Sequence, residues 1–164
     1  MARALSRLFL FAVLLLPPIN CAAQAPKDDP PPARFELRFA QETPGDGLVE
    51  ATVVNTDKKV YLFKDALITN NDVIDARVVE EGGLFASGAR ASSYFDIHVM
   101  FTEEGAQKMA RASETHIGKP IAILVDGKVV SAPIVRSVIR DRAAIAGSFS
   151  KAEAESLASR IRSK

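Results

Sequence analysis

Two short apolar segments joined by a turn dipeptide constrain the fold of this chain more than any other feature. Ile121–Val125 is an unbroken apolar run, rich in β-branched residues, with the length of one buried strand. Asp126-Gly127 follows it, and Lys128–Ser131 is a second β-rich segment. A DG dipeptide between such runs is the strongest short-range hairpin signal, because a type I′ turn requires positive φ at both central residues. The sequence therefore predicts a hairpin inside a sheet. Pro133 marks its end, because proline cannot donate to a strand ladder.

Alternation of apolar and polar residues predicts further strands on both sides of the hairpin. It is clearest in residues 93–101, where one face carries Phe95, Ile97, Val99 and Phe101 and the other carries Tyr94, Asp96, His98 and Met100. The remaining predicted strands cover residues 34–40, 48–54, 60–63, 77–80 and 143–147. Residues 82–91 are rich in Gly, Ala and Ser, and we expect them to form an exposed, mobile loop.

Capping residues predict two helices. Thr102 is the expected N-cap of the first helix, whose inner face extends to Ile117 and whose C-cap is Gly118. Ser150 and Glu153 form a capping box for the second helix.

An isolated helical turn is also predicted within residues 68–76. Asn70 or Asn71 is the expected N-cap of this turn, with Val73 and Ile74 pointing inward. Strands outnumber helices, and the helices follow strands late in the chain. The predicted fold is therefore α+β, with a mostly antiparallel sheet and two helices packed on one face.

The first 23 residues have the order of a secretory signal peptide. Arg3 and Arg7 precede an apolar stretch at residues 8–16, and cleavage after Ala23 fits the small residues around it. Cys21 is the only cysteine of the chain, and on this interpretation it leaves with the signal peptide. The alternative is a lipoprotein anchored through Cys21, although the residues before it match the usual lipoprotein pattern poorly.

Residues 24–33 are rich in proline and predict an extended linker. A disordered leader is the simpler interpretation of this segment, and a tether to a membrane or a partner is the functional one. Residues 34–164 then form one domain that is long enough to bury its own core.

Charge and side-chain spacing provide no basis for an enzyme. The net charge of +1, with both signs interspersed, lacks the basic stripe that nucleic acid requires. No apolar run after the signal peptide approaches the length of a membrane span. His98 and His116 stand alone, whereas a metal site needs three or four donors. We therefore predict no catalytic residues, no cofactor and no metal.

Motifs in the second half of the chain resemble those of a known family. Residues 95–139 and 143–163 are similar to the head subdomain of the first periplasmic domain of SecD, a subunit of the bacterial protein-export machinery. The matching positions are Gly105-Ala106, Gly118-Lys119, Ala122-Ile123, Asp126-Gly127, Val129, Ser131-Ala132-Pro133, Ile145, Gly147, Phe149, Ala154, Leu157 and Ala158. The similarity is specific from residue 68 to residue 163 and weaker from residue 34.

The resemblance covers the head alone. The family's base subdomain, its membrane spans and their ionisable residues have no counterpart here, so proton-driven translocation is not implied. What it implies is a secreted, free-standing copy of the part that in the family is thought to contact emerging unfolded chains.

The leading functional hypothesis is therefore a non-enzymatic interaction module in the periplasm. It would bind unfolded or exported polypeptide, or export-channel and envelope proteins, through an exposed sheet edge or groove. The candidate contacts are Tyr94, His98 and Met100 on the second face of their strand, and the loop that begins with Gly82 and Gly83. The alternative for the three strand residues is a second buried layer beneath the helices. The alternative function is a structural or regulatory subunit that docks one folded envelope partner.

Overall fold

The computed structural model describes residues 31–81 and 94–162. The predicted signal peptide with Cys21, the first part of the predicted linker and the predicted loop with Gly82 and Gly83 lie outside the described residues.

Antiparallel strands dominate the described chain. The strands are β1 Phe35–Gln41, β2 Val49–Thr52, β3 Lys59–Thr69, β4 Val73–Glu81, β5 Tyr94–Phe101, β6 Ile121–Val125, β7 Lys128–Ser131 and β8 Arg142–Phe149. The α-helices are α1 Glu103–Glu114 and α2 Lys151–Arg162. The predicted α+β class is confirmed. The strands divide between two sheets, one with the order β2-β3-β1-β6-β7 and one with the order β4-β5-β8.

The predicted hairpin is confirmed with its expected bounds. Asp126 and Gly127 have φ of 50° and 77°, as a type I′ turn requires. All five residues of β6 are buried, because β6 lies between β1 and β7 and is covered on both faces. β7 ends two residues before Pro133, whose carbonyl accepts a hydrogen bond from Ile121 N (3.0 Å).

The five-stranded sheet curls around a small core of its own. Irregular register in the β1–β3 and β6–β7 pairs bends the sheet. The chain after β2 reaches the far edge, where Val54 N donates to Val129 O (2.8 Å). Seven buried residues fill the inside of this curl: Ala40, Val53, Val60, Leu62, Ala122, Leu124 and Val129.

The main core lies between the two sheets and includes both helices. The larger buried strand residues in it are Phe35, Leu37, Ile68, Ile97, Val99, Ile123 and Ile145. The helices contribute Met109 from α1 and Ala154, Ala158 and Ile161 from α2. α2 packs against all three strands of the smaller sheet, and α1 contacts β3 and β5. Both sheets and both helices therefore share one hydrophobic cluster.

The helix starts follow the sequence predictions, but the end of the first helix does not. Thr102 Oγ1 accepts a hydrogen bond from Gly105 N (3.0 Å), as expected of an N-cap. α1 ends at Glu114 with Thr115 as its C-cap, so the predicted C-cap at Gly118 is wrong. Gly118 instead has a φ of 82° in the connection to β6, where its N–H donates to Val135 O. Ile117 therefore lies beyond the helix and is 55% exposed.

The predicted helical turn is a 3₁₀ turn at Asn70–Asp72. Its N-cap is Thr69 rather than Asn70 or Asn71. Val73 is buried as predicted, but Ile74 is 62% exposed, because the chain has already entered β4 and alternates faces there.

The beginning of the described domain is attached to its last helix. Ala33 N donates to Arg160 O (2.9 Å), and Arg160 Nε donates to Pro31 O (3.0 Å). Asn70 Nδ2 donates to Ala33 O (2.9 Å). Ala33 is buried, so the described end of the predicted linker packs against the domain.

Candidate polypeptide-binding seam

The edges of the two sheets meet between the β6–β7 hairpin and β8. β7 is one edge strand of the described five-stranded sheet and β8 is one edge strand of the described three-stranded sheet. They contact each other without pairing in a ladder. We call the space between the hairpin and β8, together with the adjoining side of α2 and residues 133–139, the seam. The seam has a narrow end and a wide end. The first residues of β6 and β8 line the narrow end and their last residues line the wide end, so both strands run along the seam in the same direction.

The wide end of the seam is a groove of about 810 Å³ with an apolar floor. Val125, Val130, Phe149 and Leu157 are among the residues that line it. Phe149 folds back over Gly147, because a Cβ on this glycine would lie 2.5 Å from the ring of Phe149. The matching glycine and phenylalanine of the family motif thus form one local unit beside the groove.

The narrow end is an apolar pocket of about 230 Å³. Leu37, Ile123 and Met109, each at most 2% exposed, are among the residues that line it. Arg136 and Arg142 also line this pocket. The pocket therefore combines a hydrophobic interior with two arginines in its lining.

The acidic groups along the seam are already engaged. Asp126 accepts hydrogen bonds from Arg34 N (3.0 Å) and from Arg160 Nη2 (2.6 Å), and these hold the pKa of its carboxyl below the usual value. Glu153 accepts from the side chain and the backbone of Ser150 in the predicted capping box, which lowers the pKa of Glu153 in the same way. Both carboxylates therefore form hydrogen bonds within the domain.

Arg160 pairs with Asp126, but the other basic residues along the seam have no carboxylate partner among the described residues. Among the described residues, Lys128, Arg136 and Arg142 form no ion pair. Three exposed basic side chains therefore line the seam without a carboxylate partner in the described part of the chain.

The residues predicted from sequence to form the site lie on another surface. β5 is the central strand of the three-stranded sheet, and both of its edges are paired with β4 and β8. His98 is half-buried and Met100 is 37% exposed, so the alternative of a second buried layer does not hold for Met100. Tyr94 begins β5, and its side chain lies outside the described part, as do Gly82 and Gly83. This face can offer side-chain contacts but no free backbone edge.

Sequence reasoning missed the seam, although most of its residues fall within predicted elements. The signal that was available is the pairing of Gly147 with Phe149 and the cluster Arg136, Arg140 and Arg142 in a segment without strand or helix pattern. Neither identifies an edge strand, since that depends on which strands pair.

Neither a metal-binding cluster nor a membrane-spanning helix occurs among the described residues. They contain no group of three side chains positioned to hold a metal ion. His116 stacks on Phe39 with ring centroids 3.5 Å apart, and its Nε2 is buried without a hydrogen-bond partner. Burial, and then the charge of Lys119, lower the pKa of His116. The helices described here are twelve-residue segments, and none is long and apolar enough to cross a membrane.

Comparison with known proteins assigns the domain to a family. The family model described as SecDF, P1 head subdomain, matches residues 48–164. The chain belongs to this family, which confirms the resemblance drawn from its motifs. The family is that of a protein-translocase component.

Curated relatives are described as protein translocase subunits. Protein translocase subunit SecD of Acidaminococcus fermentans is 34% identical over 128 residues, 74% of this chain and 28% of the relative. SecDF of Thermus thermophilus is 37% identical over 98 residues, 59% of this chain and 12% of the relative. SecD of Aquifex aeolicus is 51% identical over 55 residues, 34% of this chain and 11% of the relative. The chain thus spans between 11% and 28% of the length of these relatives.

Two solved structures share the fold. One, described as "Structure and function of a membrane component SecDF that enhances protein export", has a TM-score of 0.59 at 25% identity, over 80% of this chain and 63% of that one. The other, "Crystal structure of SecDF in Super-membrane-facing form", has a TM-score of 0.60 at 27% identity, over 79% of this chain and 18% of that one.

Proposed function

We propose that this chain is a non-enzymatic interaction module outside the cytoplasmic membrane, in the periplasm, that binds extended segments of unfolded or exported polypeptide along the seam. The observation that carries the proposal is an edge strand, β8, beside an apolar groove of about 810 Å³. A polypeptide in extended conformation can add a strand to β8 while its alternate side chains enter the groove.

Strand addition to β8 is compatible with partners of different sequence. Main-chain hydrogen bonds to an edge strand depend little on side chains, and the groove accepts apolar side chains of different shapes. A single extended segment buries little area and loses conformational entropy on binding. We therefore expect weak affinity, with dissociation constants of about 10–100 µM.

The family supports the setting of this activity. Relatives are protein translocase subunits, and one matched structure is described as a component that enhances protein export. A polypeptide-contacting domain suits such machinery, and export-channel or envelope proteins are further candidate partners.

The test is a titration of the purified protein with a permanently unfolded polypeptide and with the folded form of the same polypeptide. We expect NMR shifts of β8 backbone amides and of Phe149 with the unfolded form alone. A peptide with proline at alternate positions is the control, and it should not bind, because proline lacks the N–H that strand pairing requires.

Two outcomes contradict the proposed site. Shifts confined to His98 and Met100 would move binding to the outer face of β5, where the sequence analysis had placed it. Silence toward every unfolded chain, together with tight capture of one folded envelope protein, would support a docking subunit instead.

A further inference from the structure

We propose that the seam selects polypeptide segments in which a large aliphatic side chain has an acidic residue two positions away from it. This inference rests on the proposed function, and it names the class of segment that the narrow end of the seam would anchor. The wide groove tolerates many sequences, whereas the pocket at the other end has a specific combination of shape and charge.

The hydrophobic half of the anchor is the interior of the pocket. Its cavity of about 230 Å³ is bounded by Leu37, Ile121, Ile123 and Met109, which belong to the main core. An aliphatic side chain that enters it gains contacts with side chains that are otherwise close-packed. A small polar side chain at the same position would leave this surface unfilled.

The charged half of the anchor is a pair of exposed arginines, Arg136 and Arg142, on the pocket lining. Five arginines elsewhere in the described chain lie within 4.0 Å of a carboxylate: Arg34, Arg38, Arg77, Arg160 and Arg162. Arg136 and Arg142 have no such partner among the described residues. Asp141, the acidic neighbour of Arg142, forms no ion pair either, and its backbone carbonyl accepts from Phe101 N (2.9 Å). A carboxylate on the ligand would supply the missing partner with bidentate geometry.

The two ends of the seam lie on one strand, so a single extended segment can reach both. Arg142, Ala143 and Ala144 of β8 line the pocket, and Gly147 and Phe149 line the wide groove. The distance along the strand is roughly 20 Å at about 3.3–3.4 Å per residue. Residues i and i+2 of a strand share a face, so an acidic residue two positions from the aliphatic one remains on the same side of the segment.

The experiment compares three strand-forming peptides of about ten residues that differ at two positions only. One carries Leu and Glu two positions apart, the second carries Leu and Lys, and the third carries Ser and Glu. Dissociation constants are measured by fluorescence anisotropy with the purified protein. We expect the Leu and Glu peptide to bind about fivefold more tightly than the Leu and Lys peptide. It should bind about tenfold more tightly than the Ser and Glu peptide.

The same peptides are also titrated into protein variants in which the charge of one arginine is reversed. Arg136→Glu should remove the preference for Glu over Lys and partly restore binding of the Leu and Lys peptide. Arg140→Glu changes the same segment outside the pocket lining and should leave the preference unchanged. Arg142→Glu is a second test, and denaturant midpoints establish that each variant folds.

The outcomes separate this inference from the proposed function. Equal affinity for all three peptides overturns the anchor and leaves strand addition to β8 standing. No binding of any peptide overturns the proposed function itself. A preference that survives Arg136→Glu and Arg142→Glu alike, in folded protein, also overturns the anchor.

Discussion

Gly127 and Gly147 both belong to the family motif, but they are glycines for different physical reasons. Gly127 has a φ of 77° with no atom within 4 Å of an added Cβ, so its constraint is the backbone conformation. Gly147 has no such conformation, and its constraint is the ring of Phe149, which lies 2.5 Å from the position that a Cβ would take. A substitution at Gly127 therefore acts on the turn, and one at Gly147 acts on the seam.

This difference gives the first prediction. Gly127→Ala should lower the free energy of unfolding by about 1–2 kcal/mol, because an L side chain disfavours positive φ. Gly127→Asn should cost less, since Asn tolerates this region. Equal loss in both variants, measured by denaturant unfolding, would show that the turn conformation is not the cause.

Asp72 ties the 3₁₀ turn to α1 and gives the second prediction. Its carboxylate accepts from Lys108 Nζ (2.8 Å) and from Thr69 N (3.0 Å). Burial raises the pKa of Asp72, but these hydrogen bonds and the charge of Lys108 outweigh it and lower the pKa overall. A lowered folded-state pKa contributes stability above the unfolded-state pKa, and this contribution is lost as the pH falls through the folded-state pKa.

Asp72→Asn should therefore cost about 1–3 kcal/mol near neutral pH and should lose less stability on acidification than the unchanged protein. Free energies of unfolding between about pH 7 and about pH 2 test this. Asp46→Asn, in an exposed turn, is the matched control. Parallel stability curves for Asp72→Asn and the unchanged protein would contradict the assignment.

At the scale of elements, turns and helix ends were predictable from the sequence, because residues only a few positions apart determine them. The hairpin and both helix N-termini were predicted correctly, because turn residues and caps act over a few positions. β3 is much longer than predicted. Residues 64–67 have no alternation, and the pairing of Ala66 with Arg38 of β1 carries the ladder through this irregular stretch. β1 itself lies before the residues that match the family, yet it is the middle strand of the larger sheet.

The burial of β6 supplies the third prediction. Ile123 is 2% exposed in the main core, and Ile123→Ala should lower the free energy of unfolding by about 2–5 kcal/mol. Ile74→Ala makes the same chemical change at a side chain that is 62% exposed and should alter stability by less than about 0.5 kcal/mol. Similar denaturant midpoints for the two variants would contradict the position of β6.

At the scale of the whole molecule, the candidate site depends on how two sheets meet. Most of its lining comes from α2 and from β6, β7 and β8, strands that follow one another in the chain but belong to different sheets. The rest includes residues of β1, α1 and the segments 53–56 and 133–139. Periodicity predicts which face of a strand is buried, but it cannot predict which strand is an edge. Periodicity therefore points to the side chains of β5, whereas the strand order shows that β8 is an edge strand.

The fourth prediction concerns the processing of the N-terminus. The order of charged, apolar and small residues at the N-terminus predicts cleavage after Ala23 and no lipid. The intact mass of protein from the cell envelope should correspond to a chain that begins with Gln24. A mass that corresponds to an acylated Cys21 would establish the lipoprotein alternative.

The hydrogen bond between Ala33 N and Arg160 O has an architectural consequence. It holds the two ends of the described fold at one point, where Arg160 also bonds to Asp126 of the hairpin turn. The chain therefore enters and leaves the described fold at neighbouring positions. Splicing it into a loop of a host protein would therefore require neither flank to stretch. Its relatives are several times longer than this chain. A domain with adjacent ends can be inserted into a longer protein, or removed from it, with little change to the flanking structure.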